Sequence, residues 1–191
     1  MIVSRNSSSA PLEPLSTGTK LARCIGLLDL GTQTDEYQGK TNILRKVRIV
    51  WELPNDTHGD GVPFVIGKNY TLSLGEKATL RADLVAWRDG RQFTDEQLDG
   101  FDLRNILGKG CFLSVGHNTG KKAVVNAVMA LPKGMPMPEQ YHPMQYLSFD
   151  DPATIDLKLI DAQPDFIKAM IRKSPEFEPH KTDVPDVIAN T

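Results

Sequence analysis

Residues 114–125, SVGHNTGKKAVV, admit two readings: a phosphate-gripping loop or the tip of a β-hairpin. A P-loop needs four residues between its glycines and a Ser or Thr after the lysine. Here three residues separate Gly116 from Gly120, and Lys122 follows Lys121. No hydroxyl is placed for Mg²⁺ and no helical pattern opens after Lys121, so a P-loop ATPase is excluded. The hairpin reading fits better. Residues 111–115 alternate, with Cys111, Leu113 and Val115 on one side and Phe112 and Ser114 on the other, and residues 123–131 form a second strand. Asn118-Thr119-Gly120 is turn chemistry, because Asn and Gly tolerate positive φ.

Working outward, the same period recurs. Residues 43–53, ILRKVRIVWEL, carry Ile43, Val47, Ile49, Trp51 and Leu53 at odd positions, and Lys46, Arg48 and Glu52 at even ones. One face is apolar and the other charged, with Arg45, Leu44 and Val50 as exceptions. Residues 21–30 are an apolar run broken by Gly26, which marks a bulge or bend. Residues 31–40 read as a polar connection, and residues 54–63 as a turn-rich loop. Residues 64–72 form a third strand. A helix is predicted over residues 73–87, with Ser73 and Glu76 as capping box and Leu80, Leu84 and Trp87 on one face. Asp89-Gly90 ends it. Thr94 and Gln97 form a second capping box, and Asp102 caps a short turn. Trp51 and Trp87 are core by their spacing. The order is strand, strand, strand, helix, strand, strand. This predicts a mainly β protein: a five-stranded OB-fold-like Greek-key barrel with a helix between strands three and four, followed by a mostly extended C-terminal segment.

The 191 residues divide into a Ser/Pro-rich arm (1–19), an OB-fold-like domain (20–133) and a Pro-rich segment with a short helix and acidic tail (134–191). Phe166, Met170 and Ile167 are read as the apolar side of that helix, and the tail is expected to add little to the core. The net charge of −2 hides an asymmetry. Residues 20–133 hold 16 Lys and Arg against 13 Asp and Glu, whereas residues 134–191 hold 5 against 10. A mildly basic body with an acidic tail suits a nucleic-acid binder, and equally an ordinary varied surface. Cys24 and Cys111 read as two buried thiols. The histidines lack metal-ligand spacing, and no apolar stretch approaches the ~18 residues of a membrane span. Neither cofactor, metal nor membrane is expected, and the location implied is the cytoplasm.

The segments Tyr70-Thr71-Leu72-Ser73-Leu74, Leu80-Arg81, Trp87-Arg88, Phe93-Thr94, Gly100-Phe101-Asp102-Leu103 and Leu107-Gly108-Lys109 resemble the shared pattern of a group of phage- and prophage-encoded proteins. VRIVWELP before them and LPKGM after them fit as well. The resemblance covers about residues 20–135 and leaves out the arm and tail. That group looks like single-stranded-DNA-binding replication proteins, which implies DNA replication or recombination in a bacterial host cell. It transfers no catalytic residue.

Binding a single strand without sequence preference needs cations tracking phosphates and exposed rings stacking on bases. The candidate residues are Lys40, Lys46 and Arg48 on or before the second strand, and Lys121 and Lys122 at the hairpin tip. Phe112, on the polar side of its strand, and Tyr37, in the first connection, are the candidate stacking rings. The partner expected is single-stranded DNA, with a replication or recombination protein engaged through the C-terminal segment. The acids between Asp83 and Asp102 stand largely at helix starts, where they complement the dipole, so a catalytic pair is not assigned. The rival reading is a protein-interaction module, an adaptor or inhibitor of a replisome enzyme, because the fold serves both roles.

Overall fold

A computed structural model describes residues 15–37 and 39–183. The protein is mainly β, with a six-stranded sheet and a few short helices. Strands β1 (Gly18–Tyr37), β2 (Lys40–Thr57), β3 (Pro63–Thr71), β4 (Gly110–His117) and β5 (Ala123–Met129) run antiparallel in the order β3-β2-β1-β4-β5. Helix α1 (Thr79–Trp87) lies between β3 and β4 in the chain and packs against β3 and β5, the two ends of that order. Helix α2 (Asp95–Gly100) and the 3-10 turn Leu103–Ile106 follow it. The N-terminal arm read at residues 1–19 lies almost wholly outside the described residues. No helix among the described residues is long and apolar enough to cross a membrane.

The alternation of β2 builds the first core. Val47, Ile49, Trp51 and Leu53 point inward with Ala22, Cys24 and Leu27 of β1, Cys111, Leu113 and Val115 of β4, and Leu80, Leu84 and Trp87 of α1. The rings of Trp51 and Trp87 lie 6.0 Å apart in a tilted pair. Cys24 and Cys111 are buried free thiols, and desolvation pushes the Cys24 thiol up to about 12. Arg45, the cation that broke the apolar face, is an ion-pair partner. It binds the buried carboxylate of Asp29 on β1 and, at 2.8 Å, Asp150.

Three local readings are corrected. The supposed connection at residues 31–40 is strand. A bulge at Asp29–Gly31 and the left-handed φ of 64° at Gly31 bend β1 without ending it. β1 then runs on to Tyr37, opposite Lys40. Helix α1 begins at Thr79, not Ser73. Its N-cap is Ala78, without a side-chain cap, while the Ser73 hydroxyl accepts from Gly75 N at 3.1 Å in a local turn. The turn uses the hydroxyl that a capping box would have needed. At the β4–β5 tip the left-handed residue is Lys121, at φ 57°, and neither Asn118 nor Gly120 has a positive φ. The Asn118 side chain accepts from Lys122 N and Asn118 O from Lys121 N, which closes the turn around the lysine. Other readings match: the bulge beside Gly26, the Thr94–Gln97 capping box, the Asp102 cap and the helix end at Asp89-Gly90.

The C-terminal segment contributes more than the sequence suggested. β1 leaves β4 at Arg23, which frees one edge of β1 from Gly26 onward. An open edge is a liability. Strand β6 (Gln145–Leu147) fills it, pairing in parallel with Gly26, Leu27 and Leu28. Helices α3 (Leu157–Asp161) and α4 (Asp165–Lys173) then cover the outward face of the sheet. A second core forms there from Ile25, Leu28, Leu30 and Val50 of the sheet and Leu147, Ile160, Ile167, Ile171 and Phe177 of the C-terminal segment. Polar ties fix it. The fully buried Glu52 carboxylate accepts from Tyr141 N (3.0 Å), His142 N (2.8 Å) and His142 Nδ1 (3.0 Å). Gln33 Nε2 donates to Leu30 O and Met170 O, and Thr32 N donates to Glu176 at 2.8 Å. β1 is therefore shared by two cores. The apolar side of α4 is Ile167 and Ile171, whereas Phe166 is 57% exposed.

Candidate nucleic-acid interface

The even positions of β2 face outward. Arg48 stands opposite Asn69 of β3, and Lys46 opposite Thr71. The Arg48 guanidinium lies across Gly67, where an added Cβ would come within 2.6 Å of it. Glycine there leaves room for the guanidinium. Its Nη1 donates to Asn69 Oδ1 at 2.7 Å. From the other side α4 sets the exposed Phe166 ring 5.5 Å from the guanidinium carbon, within cation–π range. Burial lowers the Arg48 pKa, and no carboxylate is paired with it among the described residues.

Beside this stack runs a groove of about 670 Å³. Lys46, Lys68 and Lys77 line it, with Asn69 and Tyr70, and Glu76 is the sole acid among its lining residues. The groove ends at the start of α1, whose first turn carries no acidic residue. Lys77 is exposed. Lys46 is ion-paired with Asp35, itself half-exposed. Lys68 is held more firmly. Its ammonium sits 2.7 Å from Asp83 of α1 and 5.1 Å from the Tyr70 ring centroid. Asp83 also accepts from the Tyr70 hydroxyl at 2.8 Å, and burial together with that carboxylate pushes the phenol pKa well above its usual value.

Of the residues singled out from sequence, Lys46 and Arg48 meet here. Lys40 is exposed at the start of β2, six residues before Lys46, or roughly 20 Å of strand. Tyr37 ends β1 opposite Lys40, and its side chain lies outside the described residues. Phe112 is half-buried on β4, in register with Leu21 and Met129. Along β1, Leu21 stands seven residues from Leu28, the partner of Arg48, which is roughly 23 Å of strand. Lys121 and Lys122 are exposed at the β4–β5 tip, beyond Gly18 at the opposite end of β1 from Tyr37. The seven thus fall into separate groups.

Phe166, Lys68, Asn69 and Lys77 were not among the sequence candidates. Phe166 had a signal, since Ile167, Met170 and Ile171 already form an i, i+3, i+4 stripe that leaves the ring off it. The lysines of β3 and of the approach to α1 had none beyond composition. Among the described residues no three His, Cys, Asp or Glu side chains gather as a metal-ligand set. In comparison with known proteins, no family model and no curated sequence matches the chain.

Proposed function

We propose that this protein binds single-stranded DNA without catalysis, on an OB-type barrel, in phage DNA replication or recombination in the bacterial cytoplasm. The strand order, with a helix between β3 and β4 set against the two terminal strands, supports an OB-type arrangement, in which strands two and three commonly carry the ligand. One observation carries the reading: a lysine-lined groove on the β2–β3 side continues, through Asn69 and Arg48, into an exposed phenylalanine ring. The lysines would track phosphates, and the ring would take a base on its open face. The C-terminal segment, which carries Phe166, is then part of the interface. Engagement of a replication or recombination protein through the same segment belongs to this proposal.

The test is a salt series of fluorescence anisotropy on labelled oligo(dT). Replacing Lys46 and Lys77 together with Ala should weaken binding and flatten the slope of log K against log salt by about 1.4, at ~0.7 per lost phosphate contact. Phe166→Ala should weaken binding by about 1–3 kcal/mol and leave the slope unchanged, because only a stack is lost. If replacing Lys121 and Lys122 flattens the slope while the groove variant does not, and Phe112→Ala gives the stacking loss, the strand crosses β4–β5 and the groove assignment is wrong.

A further inference from the structure

A second cavity lies at the far end of α1, away from β2 and β3. It has a volume of about 490 Å³ and is bounded by the end of α1, the 3-10 turn Leu103–Ile106 and the strap that follows β5. Arg88, Arg91 and Lys109 line it, and no acidic residue does. None of the three makes an ion pair among the described residues. Arg88 is held in place: Nη2 donates to Gln97 Oε1 at 3.0 Å, and the guanidinium sits 4.4 Å from the Phe93 ring centroid. Its Nη1 is buried and has no acceptor among the described residues, although a buried donor without a partner is costly. Arg91 and Lys109 are exposed. The rest of the lining is mainly apolar, including Trp87, the half-buried Phe101 and the methionines Met135 and Met137, which are 41% and 49% exposed, with Asn105 as its polar member.

We infer that this cavity docks an acidic peptide segment of a partner protein, with one apolar side chain seated against the methionines and carboxylates on the arginines. Charge complementarity selects the occupant, as three cations without an ion pair among the described residues, and no acid in the lining, call for an anion. Guanidinium forks match carboxylates in paired geometry, and the orphaned Arg88 donor gains an acceptor. The apolar lining selects a peptide over a nucleic acid. Of the rings in the lining Trp87 is buried, and the half-buried Phe101 is already engaged, packed edge-on with Phe93 and 6.0 Å from the Arg88 guanidinium carbon, so the cavity offers a base no free stacking face. Methionines adapt to varied apolar side chains, as interaction surfaces require.

The experiment uses the full chain, with random dodecapeptides displayed on phage as probes and the enriched sequences then synthesised. Enriched peptides should pair Asp or Glu with a large apolar residue. With methyl-labelled methionine, their titration should move the Met135 and Met137 resonances and leave those of Met129 and Met170 in place. The R91E/K109E variant should bind them at least ten-fold more weakly and recover binding to peptides whose acids are exchanged for Lys. Both positions are exposed, and unchanged remaining methyl resonances would verify the fold. Enriched peptides without net negative charge, or a failure of Met135 and Met137 to respond, would overturn the inference. So would oligo(dT) moving those two methyls in place of peptide, which would give the cavity to nucleic acid.

Discussion

Ile171→Ala tests whether the two cores form one unit. Ile171 is fully buried in the second core, on α4, against the outward face of the sheet. The substitution removes three buried carbons, about 2.4 kcal/mol of transfer at ~0.8 kcal/mol each. The cavity left behind adds to this, and Ile→Ala changes in cores cost ~2–5 kcal/mol. A loss of about 3 kcal/mol is therefore expected. For a chain of this length that is about 6–12 °C in Tm, or about 1.5 M in urea midpoint with a slope near ~2 kcal/mol per M. Both tryptophans, Trp51 and Trp87, sit in the first core, so their fluorescence reports on the core that the substitution does not touch. Coupling runs through β1 and β2, where Leu27 faces one core and Leu28 the other, as do Ile49 and Val50. The tryptophan transition should consequently move by the full amount, together with far-ultraviolet dichroism. A tryptophan transition that stays at the wild-type midpoint while the dichroism develops an early phase would refute the shared-strand reasoning.

Lys121→Gly should raise stability by about 1 kcal/mol in a urea titration, because Gly relieves the left-handed backbone at φ 57°; no gain would mean that the turn has relaxed otherwise. Glu52→Gln should cost about 2–4 kcal/mol, since a buried acceptor of three hydrogen bonds becomes part donor and faces N–H groups; a neutral result would show that the 141–142 strap does not depend on it. For Glu176 burial works toward a higher pKa, yet hydrogen bonds from the Thr32 hydroxyl and amide hold the carboxyl below its ordinary value of 4.5. A depressed carboxylate contributes stability that is present above its unfolded pKa and lost as pH falls through the folded one. Wild type should thus lose, below pH 4.5, an increment of stability that Glu176→Gln lacks, as followed by thermal melts across pH.

What could be read from sequence was whatever obeys a local period. The β2 face, the tryptophans at its centre and on α1, the bulge at Gly26 and the β4–β5 hairpin were visible because alternation needs no distant partner. Arg45 was visible only as an anomaly, because Asp29 and Asp150 reach it from elsewhere in the chain. Ser73 and Thr94 satisfy the same capping spacing, yet only Thr94 caps, because Ser73 spends its hydroxyl on Gly75 N. β6 is three residues long and exists only because β1 has parted from β4, a tertiary event that no window on residues 145–147 contains. The candidate interface was half legible for the same reason. Lys46 and Arg48 follow from the pleat of β2, whereas Lys77 joins Lys46 in one groove, and Phe166 meets Arg48, only through the packing of the sheet against α1 and α4.

The most direct measurement of the central claim is the affinity of the intact protein for labelled oligo(dT) at about 50 mM salt, set against a duplex of equal length. Saturable binding in the micromolar range or tighter is expected, weaker on the duplex, with log K falling linearly as log salt rises. Absence of binding to the single strand at that salt, or equal affinity for the duplex, would contradict it.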